Sequence, residues 1–273
     1  MLTALAMLAF AGNSLLCRLA LSQTQMDAAS FTGIRLLSGA LVLWLLVRLQ
    51  RISVAGHGSW GSALALFAYA TGFSFAYLSL TASTGALLLF GAVQATMIGH
   101  GLWRGERLHG WQLPGLLLAA AGLVILLLPG LAAPPLSGSL LMLGAGVAWG
   151  VYSLRGRGAK QPVAVTAGNF IRAVPMAVLL SLASLKGAHP DTLGVLYAVA
   201  SGALASGIGY AVWYAALPGL SSTQAATVQL SVPALAALGG ALLLGEMLTL
   251  RLLLATAAIL GGIALVIVAK RPA

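Results

Sequence analysis

The chain has 273 residues, of which 60% are hydrophobic and only 7% are charged, and its mean hydropathy is +1.01. A water-soluble domain of this size does not carry so apolar a surface, so the composition indicates a membrane protein. The net charge of +10 does not indicate nucleic-acid binding, because the basic residues come in pairs beside apolar runs and form no patch with interleaved aromatic residues.

Charged residues, prolines and glycines divide the chain into ten apolar runs, each close to the ~20 residues of a membrane-spanning helix. The first run lacks the basic start of a signal peptide and is predicted to be the first helix. Ten helices use about 200 residues and leave roughly 70 for loops and tails, so no soluble domain fits. The expected fold is an all-α integral membrane protein. The predicted spans are 2–21, 28–49, 58–79, 83–103, 111–128, 137–154, 164–185, 192–216, 222–244 and 249–269.

The basic residues predict the orientation in the membrane. With the N-terminus inside, nine lie in cytoplasmic segments and two in the opposite loops, so both termini are expected to be cytoplasmic. The nine are Arg48, Arg51, Arg104, Arg107, Arg155, Arg157, Lys160, Lys270 and Arg271, and the two are Lys186 and Arg251. The other three, Arg18, Arg35 and Arg172, fall within predicted spans.

A proline-rich segment at 128–138 divides the chain almost at its midpoint, into residues 1–130 and 131–273, and the halves resemble each other. Offsets of 137 to 140 residues align polar and aromatic positions in the same order along both halves. Because each half has five predicted helices, an odd number, the second enters the membrane with the opposite orientation, and the sequence predicts an inverted repeat. The aligned pairs are Arg35 with Arg172, Phe73 with Tyr210, Tyr77 with Tyr214, Ser83 with Ser222, and Glu106 with Glu246.

All four carboxylates, Asp27, Glu106, Asp191 and Glu246, lie at the ends of predicted spans. A carboxylate just ahead of a helix meets the N-terminal dipole, which contributes about 0.3 to 1 kcal/mol at an exposed site. We therefore expect Glu106 and Glu246 to be structural. A carboxylate proton relay at the midplane is not expected, and facilitated diffusion, exchange or coupling through another titratable group stay open.

The intramembrane arginines are the first candidates for substrate binding. Arg35 and Arg172 each lie about 10 to 12 Å past the start of a predicted helix. A charge at a helix centre costs on the order of 2.5 to 3.5 kcal/mol, so such residues usually face protein or water. Each is predicted to hold an anionic substrate group or a carbonyl that forms a gate. The alternative is snorkelling or structural bonding to helix ends.

Aromatic and polar side chains on other spans are further candidates for lining a route. The third and eighth spans carry stripes at intervals of four, and Trp149 and Tyr152 share a face of the sixth, whose Gly146 and Gly150 permit close helix packing. Each stripe is either core packing or cavity lining. The stripes consist of Tyr69, Phe73 and Tyr77, and of Ser206, Tyr210 and Tyr214 beside Trp213.

Three mid-span polar residues and a proline complete the candidate set. Pro233 lacks the N–H that would bond the carbonyl of Gln229, so a helix break is predicted in the ninth span. The offset of 139 sets Pro233 opposite Gln94, and Asn13 is the polar residue of the first span. The amides either line the route or form interhelical hydrogen bonds, and transporters use such breaks for substrate.

This arrangement of ten spans, paired arginines early in the second helix of each half and Gly-Glu after each fourth helix resembles the EamA branch of the drug/metabolite transporter superfamily. The resemblance covers the whole chain. It implies a secondary transporter of the bacterial inner membrane, often an exporter of amino acids, their relatives or toxic small molecules, with a central cavity. The implied partners are a small-molecule substrate and the lipid bilayer, without a cofactor. Import against export and the oligomeric state, including a homodimer, stay open.

Two other classes make different predictions. An intramembrane enzyme needs a nucleophile, base or metal ligands at one depth, whereas His57, His100, His109 and His189 are scattered near span ends. No catalytic or metal site is therefore predicted. A membrane assembly or sensor subunit would also use glycine-rich helices, and purified protein would then carry no solute flux.

Overall fold

The computed structural model describes residues 1–105, 110–128, 130, 133–184, 191–220 and 228–269. Within these residues the chain forms ten helices and no strand, as the apolar runs predict. The helices are α1 (Leu2–Gln23), α2 (Ala28–Leu49), α3 (Trp60–Ala76), α4 (Ala82–Trp103), α5 (Gln112–Leu127), α6 (Leu136–Gly156), α7 (Pro162–Ala183), α8 (Thr192–Gly219), α9 (Ser231–Leu244) and α10 (Leu250–Val268). Residues 222–227 of the predicted ninth span lie outside the described residues.

Helix length and composition make the chain a multi-pass membrane protein. Among the described residues, seven helices are long and apolar enough to cross a bilayer, namely α1, α2, α4, α6, α7, α8 and α10. The remaining three are shorter, with 17 residues in α3, 16 in α5 and 14 in α9. Large apolar side chains such as Leu41, Trp44 and Leu179 point outward, which suits contact with lipid because the bilayer core offers no water.

Helix α8 is irregular along its length. It runs as an α-helix over Thr192–Val199, as a π-helix over Ala200–Ile208, as an α-helix over Gly209–Ala216 and as a 3-10 turn over Leu217–Gly219. At Gly202 a β-carbon would collide with the main-chain oxygen of Arg35 and the hydroxyl of Ser38. The π-helical stretch therefore lies directly against α2, and such stretches often occur at functional positions.

Helix pairing relates the two halves. Helix α1 packs on α8 and α9, and the corresponding helix of the second half, α6, packs on α3 and α4. Likewise α2 packs on α8 and α7 packs on α3, while α2–α7, α4–α9 and α5–α10 pair with their own counterparts. Exchanging the halves therefore leaves this set of pairings unchanged, as expected for two five-helix units. The inverted orientation of the second unit stays a prediction.

The glycines of α6 pack as predicted. A β-carbon at Gly146 would lie 2.6 Å from the β-carbon of Ala92, and one at Gly150 would lie 2.8 Å from that of Thr96. The backbones of α4 and α6 approach too closely for larger side chains, which is the packing that small residues allow between membrane helices.

The helix bundle has two ends, which we call the Glu246 end and the His57 end. The Glu246 end carries the α3–α4 turn at residues 77–81 and the α9–α10 turn at 245–249, and the His57 end carries the α2–α3 loop at 50–59. Helix α3 runs from the His57 end to the Glu246 end, and its stripe of aromatic residues extends from Tyr69, near the middle of the helix, to Tyr77 at the Glu246 end.

Candidate functional site

A buried arginine lies at the centre of the polar interactions. Arg35 in α2 is 1% exposed. Its Nη2 donates to the hydroxyl of Tyr69 over 3.0 Å, and its Nε donates to Oγ of Ser206 over 3.4 Å. The guanidinium carbon lies 5.1 Å from the ring centre of Tyr69 and 4.8 Å from that of Phe73, within the range of cation–π attraction.

Two further side chains extend this network. Nδ2 of Asn13 donates to the hydroxyl of Tyr69 over 3.2 Å, and the hydroxyl of Ser201 donates to Oδ1 of Asn13 over 2.6 Å. We call Asn13, Arg35, Tyr69, Ser201 and Ser206 the Arg35 cluster. All five are buried. The cluster joins α1, α2 and α3 of the first half to the π-helical stretch of α8 in the second.

The cluster leaves part of the guanidinium unpaired. Nη1 of Arg35 is buried and has no hydrogen-bond partner among the described residues, and the groups bound by Nε and Nη2 are neutral hydroxyls. An unmet buried donor costs about 1 to 3 kcal/mol, and more when the group is charged. A buried cation normally also requires a nearby anion. The site therefore has an unfilled capacity for an anionic hydrogen-bond acceptor.

Aromatic rings form a continuous column past the cluster. The ring centres lie 5.2 Å apart from Tyr152 to Trp149, 4.8 Å from Trp149 to Tyr69, 5.5 Å from Tyr69 to Phe73 and 4.8 Å from Phe73 to Tyr77. We call these five residues the aromatic column. Its rings come from α6, from α3 and from the residue that follows α3, and Arg35 lies over the first two rings of the stripe, those of Tyr69 and Phe73.

Aromatic residues of α8 adjoin the column. Tyr210 lies 5.2 Å from Trp149 between ring centres, and Phe10 of α1 contacts both Tyr210 at 5.8 Å and Trp213 at 6.0 Å. Tyr210 is buried, whereas Trp149 and Trp213 are half-buried. The sequence alone does not distinguish core packing from cavity lining for the two stripes. The structure brings both stripes together beside Arg35.

The tyrosines nearest the His57 end have polar partners on α7. Nδ2 of Asn169 lies 3.4 Å from the hydroxyl of Tyr152, and Oγ1 of Thr166 lies 3.5 Å from the hydroxyl of Tyr214. Asn169 also accepts a hydrogen bond through Oδ1 from the main-chain N–H of Ser59 over 2.9 Å. A single amide thus connects one end of the aromatic column to the α2–α3 loop.

Arg172 has a different environment from Arg35. Its Nη1 donates to the main-chain oxygen of His57 over 2.7 Å and to that of Gly168 over 2.9 Å. The structure therefore places Arg172 outside the Arg35 cluster and on a carbonyl of the α2–α3 loop. This hydrogen bond fits both interpretations of Arg172, as a residue that holds a gate-forming carbonyl and as a residue with a purely structural role.

Glu246 has a structural environment, but it caps a different helix from the one expected. Its oxygens accept the main-chain N–H of Ala82 over 2.9 and 3.0 Å, at the start of α4. Its neighbouring helix α10 is capped instead by the side chain of Thr249. The expectation that Glu246 meets the helix just after it was wrong, because the α9–α10 turn folds over the N-terminus of α4. Arg18 completes the arrangement, with Nε 3.4 Å from Glu246 and Nη1 donating to the carbonyl of Tyr77 over 2.9 Å.

The other described carboxylates also bind helix starts. Asp27 accepts the main-chain N–H of Ser30 over 2.9 Å, and Asp191 accepts that of Leu193 over 3.1 Å. Glu106 lies outside the described residues. The three described carboxylates are thus at helix ends, as the sequence predicts, and away from Arg35.

The remaining candidates lie on helices other than the four that meet at Arg35. Gln94 is buried in α4, and Gln229 is half-buried just before α9. The helical residues 228–229 are followed by a turn at Leu230, and α9 begins at Ser231. Pro233 therefore occupies the first turn of α9, where a missing N–H leaves no helical hydrogen bond unmade.

Comparison with known proteins agrees with this architecture. The model of the EamA-like transporter family matches residues 136–268, which extend from the start of α6 to the end of α10. An uncharacterized protein of Pseudomonas aeruginosa is 62% identical over 268 residues, which cover 98% of this chain and 93% of that protein. The chain belongs to the EamA-like transporter family. The resemblance to the drug/metabolite transporter superfamily is thereby confirmed.

More distant relatives of this EamA-family chain include named transporters. An uncharacterized transporter of Archaeoglobus fulgidus is 27% identical over 85% of this chain and 84% of its own. The threonine/homoserine exporter RhtA of Escherichia coli is 37% identical over 131 residues, 46% of this chain and 43% of the exporter. A crystal structure that is 20% identical superposes with a TM-score of 0.68 over 97% of this chain and 94% of that one, which supports the shared fold.

Several functional-site residues of this EamA-family chain were missed or left without a partner by sequence reasoning. Ser201, Thr166 and Asn169 carried no signal beyond their place in a span. Ser206 was aligned with Tyr69 in the repeat, and both residues bind Arg35. The internal repeat was therefore the signal that could have found this contact.

Proposed function

We propose that this EamA-family transporter is a secondary exporter of small polar or amphiphilic metabolites such as amino acids, working by alternating access around the Arg35 cluster. The observation that carries the proposal is the buried guanidinium of Arg35, held between helices of both halves, whose Nη1 has no partner in the part of the chain that the structure describes. Transporters bind substrate near the midplane at the interface of their repeats. An ionisable residue inside the membrane is a functional candidate because it is costly to bury.

The choice of substrate class is supported by chemistry and by one relative. Asn13, Tyr69 and the aromatic column offer hydrogen bonds and ring faces to an amphiphilic solute. RhtA, by its name an exporter of threonine and homoserine, aligns with 46% of this chain. Amino acids are therefore the first solutes to test. Outward movement across the bacterial inner membrane is part of the proposal.

The proposal also assigns roles to both ends of the bundle. At the His57 end, Arg172 and Asn169 bind the α2–α3 loop, and at the Glu246 end, Arg18 and Glu246 hold the α4 start to the α9–α10 turn. We propose that alternating access loosens one set of contacts while the other holds. The described carboxylates are bound at helix starts, so facilitated diffusion or exchange is favoured over a carboxylate proton relay.

Efflux from proteoliposomes tests the proposed function. Vesicles holding the purified protein are loaded with the proteinogenic amino acids and homoserine, and released solutes are identified by mass spectrometry with and without a pH gradient. Selective release above protein-free vesicles is expected, with little dependence on the gradient. Folded protein that releases none of the pool would favour an assembly or sensor role.

A further inference from the structure

We propose that Nη1 of Arg35 receives the carboxylate of the transported solute, so the transporter selects carboxylates and rejects their uncharged or amine-only analogues. This inference rests on the proposed transport function and assigns its substrate class. It predicts that the same carbon skeleton moves as a carboxylate and is refused as a carboxamide. It therefore separates this transporter from an exporter of organic cations.

The guanidinium donors of Arg35 are only partly used by the described residues. A guanidinium offers five N–H donors in a planar fork that matches a carboxylate with two parallel hydrogen bonds. In Arg35, Nε binds Ser206 and Nη2 binds Tyr69, so each engages a neutral hydroxyl, and Nη1 binds no group of the described residues. Nη1 lies at the end of the fork, where it can donate to a carboxylate oxygen.

The described groups in contact with Arg35 carry no charge. Among the described residues, the Arg35 guanidinium contacts the hydroxyls of Tyr69 and Ser206 and the rings of Tyr69 and Phe73. They are neutral. The three described carboxylates bind main-chain N–H groups at the starts of α2, α8 and α4. The uncompensated positive charge attracts an anionic group and opposes an organic cation, which gives selectivity by repulsion as well as by attraction.

Arg35 differs from Arg172, the residue with which it is aligned in the repeat. Nη1 of Arg172 already has two carbonyl acceptors, on His57 and Gly168. The same atom of Arg35 has none within the described ranges. The two aligned arginines thus differ at one donor group. Nη1 of Arg172 is occupied by main-chain carbonyls, and Nη1 of Arg35 remains available to a ligand.

Aromatic rings beside Arg35 can receive the rest of the solute. Arg35 lies over the rings of Tyr69 and Phe73, and Trp149 adjoins Tyr69 at 4.8 Å between ring centres. A solute held at Nη1 by its carboxylate would meet ring faces and the polar groups of Asn13 and Tyr69. Ring faces accept apolar groups and also attract an ammonium group. A zwitterionic amino acid suits both surfaces.

The test measures a ratio of fluxes. Proteoliposomes carrying the wild type, Arg35→Gln, Arg35→Lys or Arg172→Gln are loaded with L-threonine or L-threoninamide, which differ only at the carboxyl group. Protein-free vesicles correct for passive leak. The acid-to-amide flux ratio is independent of how much protein folds, because both probes report on the same functional molecules.

The expected results follow from the strength of a charge-assisted hydrogen bond. The wild type should favour threonine by about tenfold or more. Arg35→Gln should bring the ratio close to one, Arg35→Lys should keep a weaker preference for the acid, and Arg172→Gln should keep the wild-type ratio. If the Arg35→Gln variant transports neither probe, the Arg35→Lys variant provides the test. A carboxylate-binding role for Arg35 predicts that this variant has a higher KM for threonine but not for threoninamide.

Each remaining outcome contradicts one specific statement. A wild type that moves acid and amide equally, or an Arg35→Gln variant that keeps the preference, overturns the carboxylate site while transport stands. An equal loss of both fluxes in Arg35→Lys assigns Arg35 to structure and also overturns it. A folded wild type that moves neither probe contradicts the proposed amino-acid export, and the inference falls with it.

Discussion

Glu246 caps the start of α4 from the far half of the chain: its two oxygens lie 3.0 and 2.9 Å from the main-chain nitrogen of Ala82, 164 residues away in sequence. The Glu246 side chain is only 7% exposed and pairs with Arg18. Glu246→Ala should therefore lower the unfolding free energy by about 2 kcal/mol, since a cap is lost and Arg18 loses its partner. Reversible unfolding in mixed micelles measures the loss.

A double-mutant cycle separates the cap from the ion pair. Arg18→Gln and the double variant complete the cycle with Glu246→Ala, and we expect a coupling energy of about 1 kcal/mol. Thr249→Ala is a suitable control, because it removes a helix cap whose two partners, Thr249 and Leu252, lie in the same half. A Thr249 variant as destabilised as the Glu246 variant would contradict the special role of the contact between the halves.

The α2–α3 loop should loosen when Arg172 is changed. Its bond to the carbonyl of His57 is 2.7 Å long, and a charged hydrogen bond contributes about 1.5 to 3 kcal/mol. The chain has one cysteine, Cys17, which is first replaced by serine. In this Cys17→Ser background, a cysteine at His57 should react with a thiol reagent up to about tenfold faster when Arg172→Gln is added. Arg157→Gln, at an exposed position of the same end, is the control. An unchanged rate would mean that Arg172 does not restrain the loop.

The inverted orientation of the halves predicts opposite accessibility of two equivalent turns. Arg104 and Met247 are exposed near the ends of α4 and α9, close to the aligned Glu106 and Glu246. Single cysteines at these two positions, again in a Cys17→Ser background, should be labelled by a membrane-impermeant reagent from opposite faces of the membrane. Right-side-out and inverted vesicles distinguish the faces. Labelling of both from one face contradicts the inverted repeat, and labelling of the Arg104 position from the outer face contradicts the predicted cytoplasmic termini.

Pro233 should affect transport more than folding. It lies in the first turn of α9, where alanine supplies an extra N–H that can bond the carbonyl of Gln229 and continue the helix through Leu230. Pro233→Ala should leave the unfolding free energy within about 0.5 kcal/mol of wild type and change the export rate. Pro175→Ala makes the same change inside α7, at an exposed position. Unaltered flux in Pro233→Ala would remove this break from the mechanism.

The sequence by itself determined the ten helices and the helix-end location of the three described carboxylates. Each depends on local physics, because a membrane helix satisfies its own main-chain hydrogen bonds and needs a run of apolar residues of fixed length. The aromatic stripes and the close packing of Gly146 and Gly150 also follow from spacing along one helix.

Only the tertiary structure decided which of the two aligned arginines keeps a free donor. Arg35 binds Ser206 from 171 residues away, whereas Arg172 binds a loop carbonyl 115 residues away. Glu246 likewise caps α4 instead of the adjacent α10. Partners at such separations depend on how helices pack and how loops fold over their ends. Local sequence encodes neither, since a side chain's spacing fixes its face on a helix and not the group that meets it.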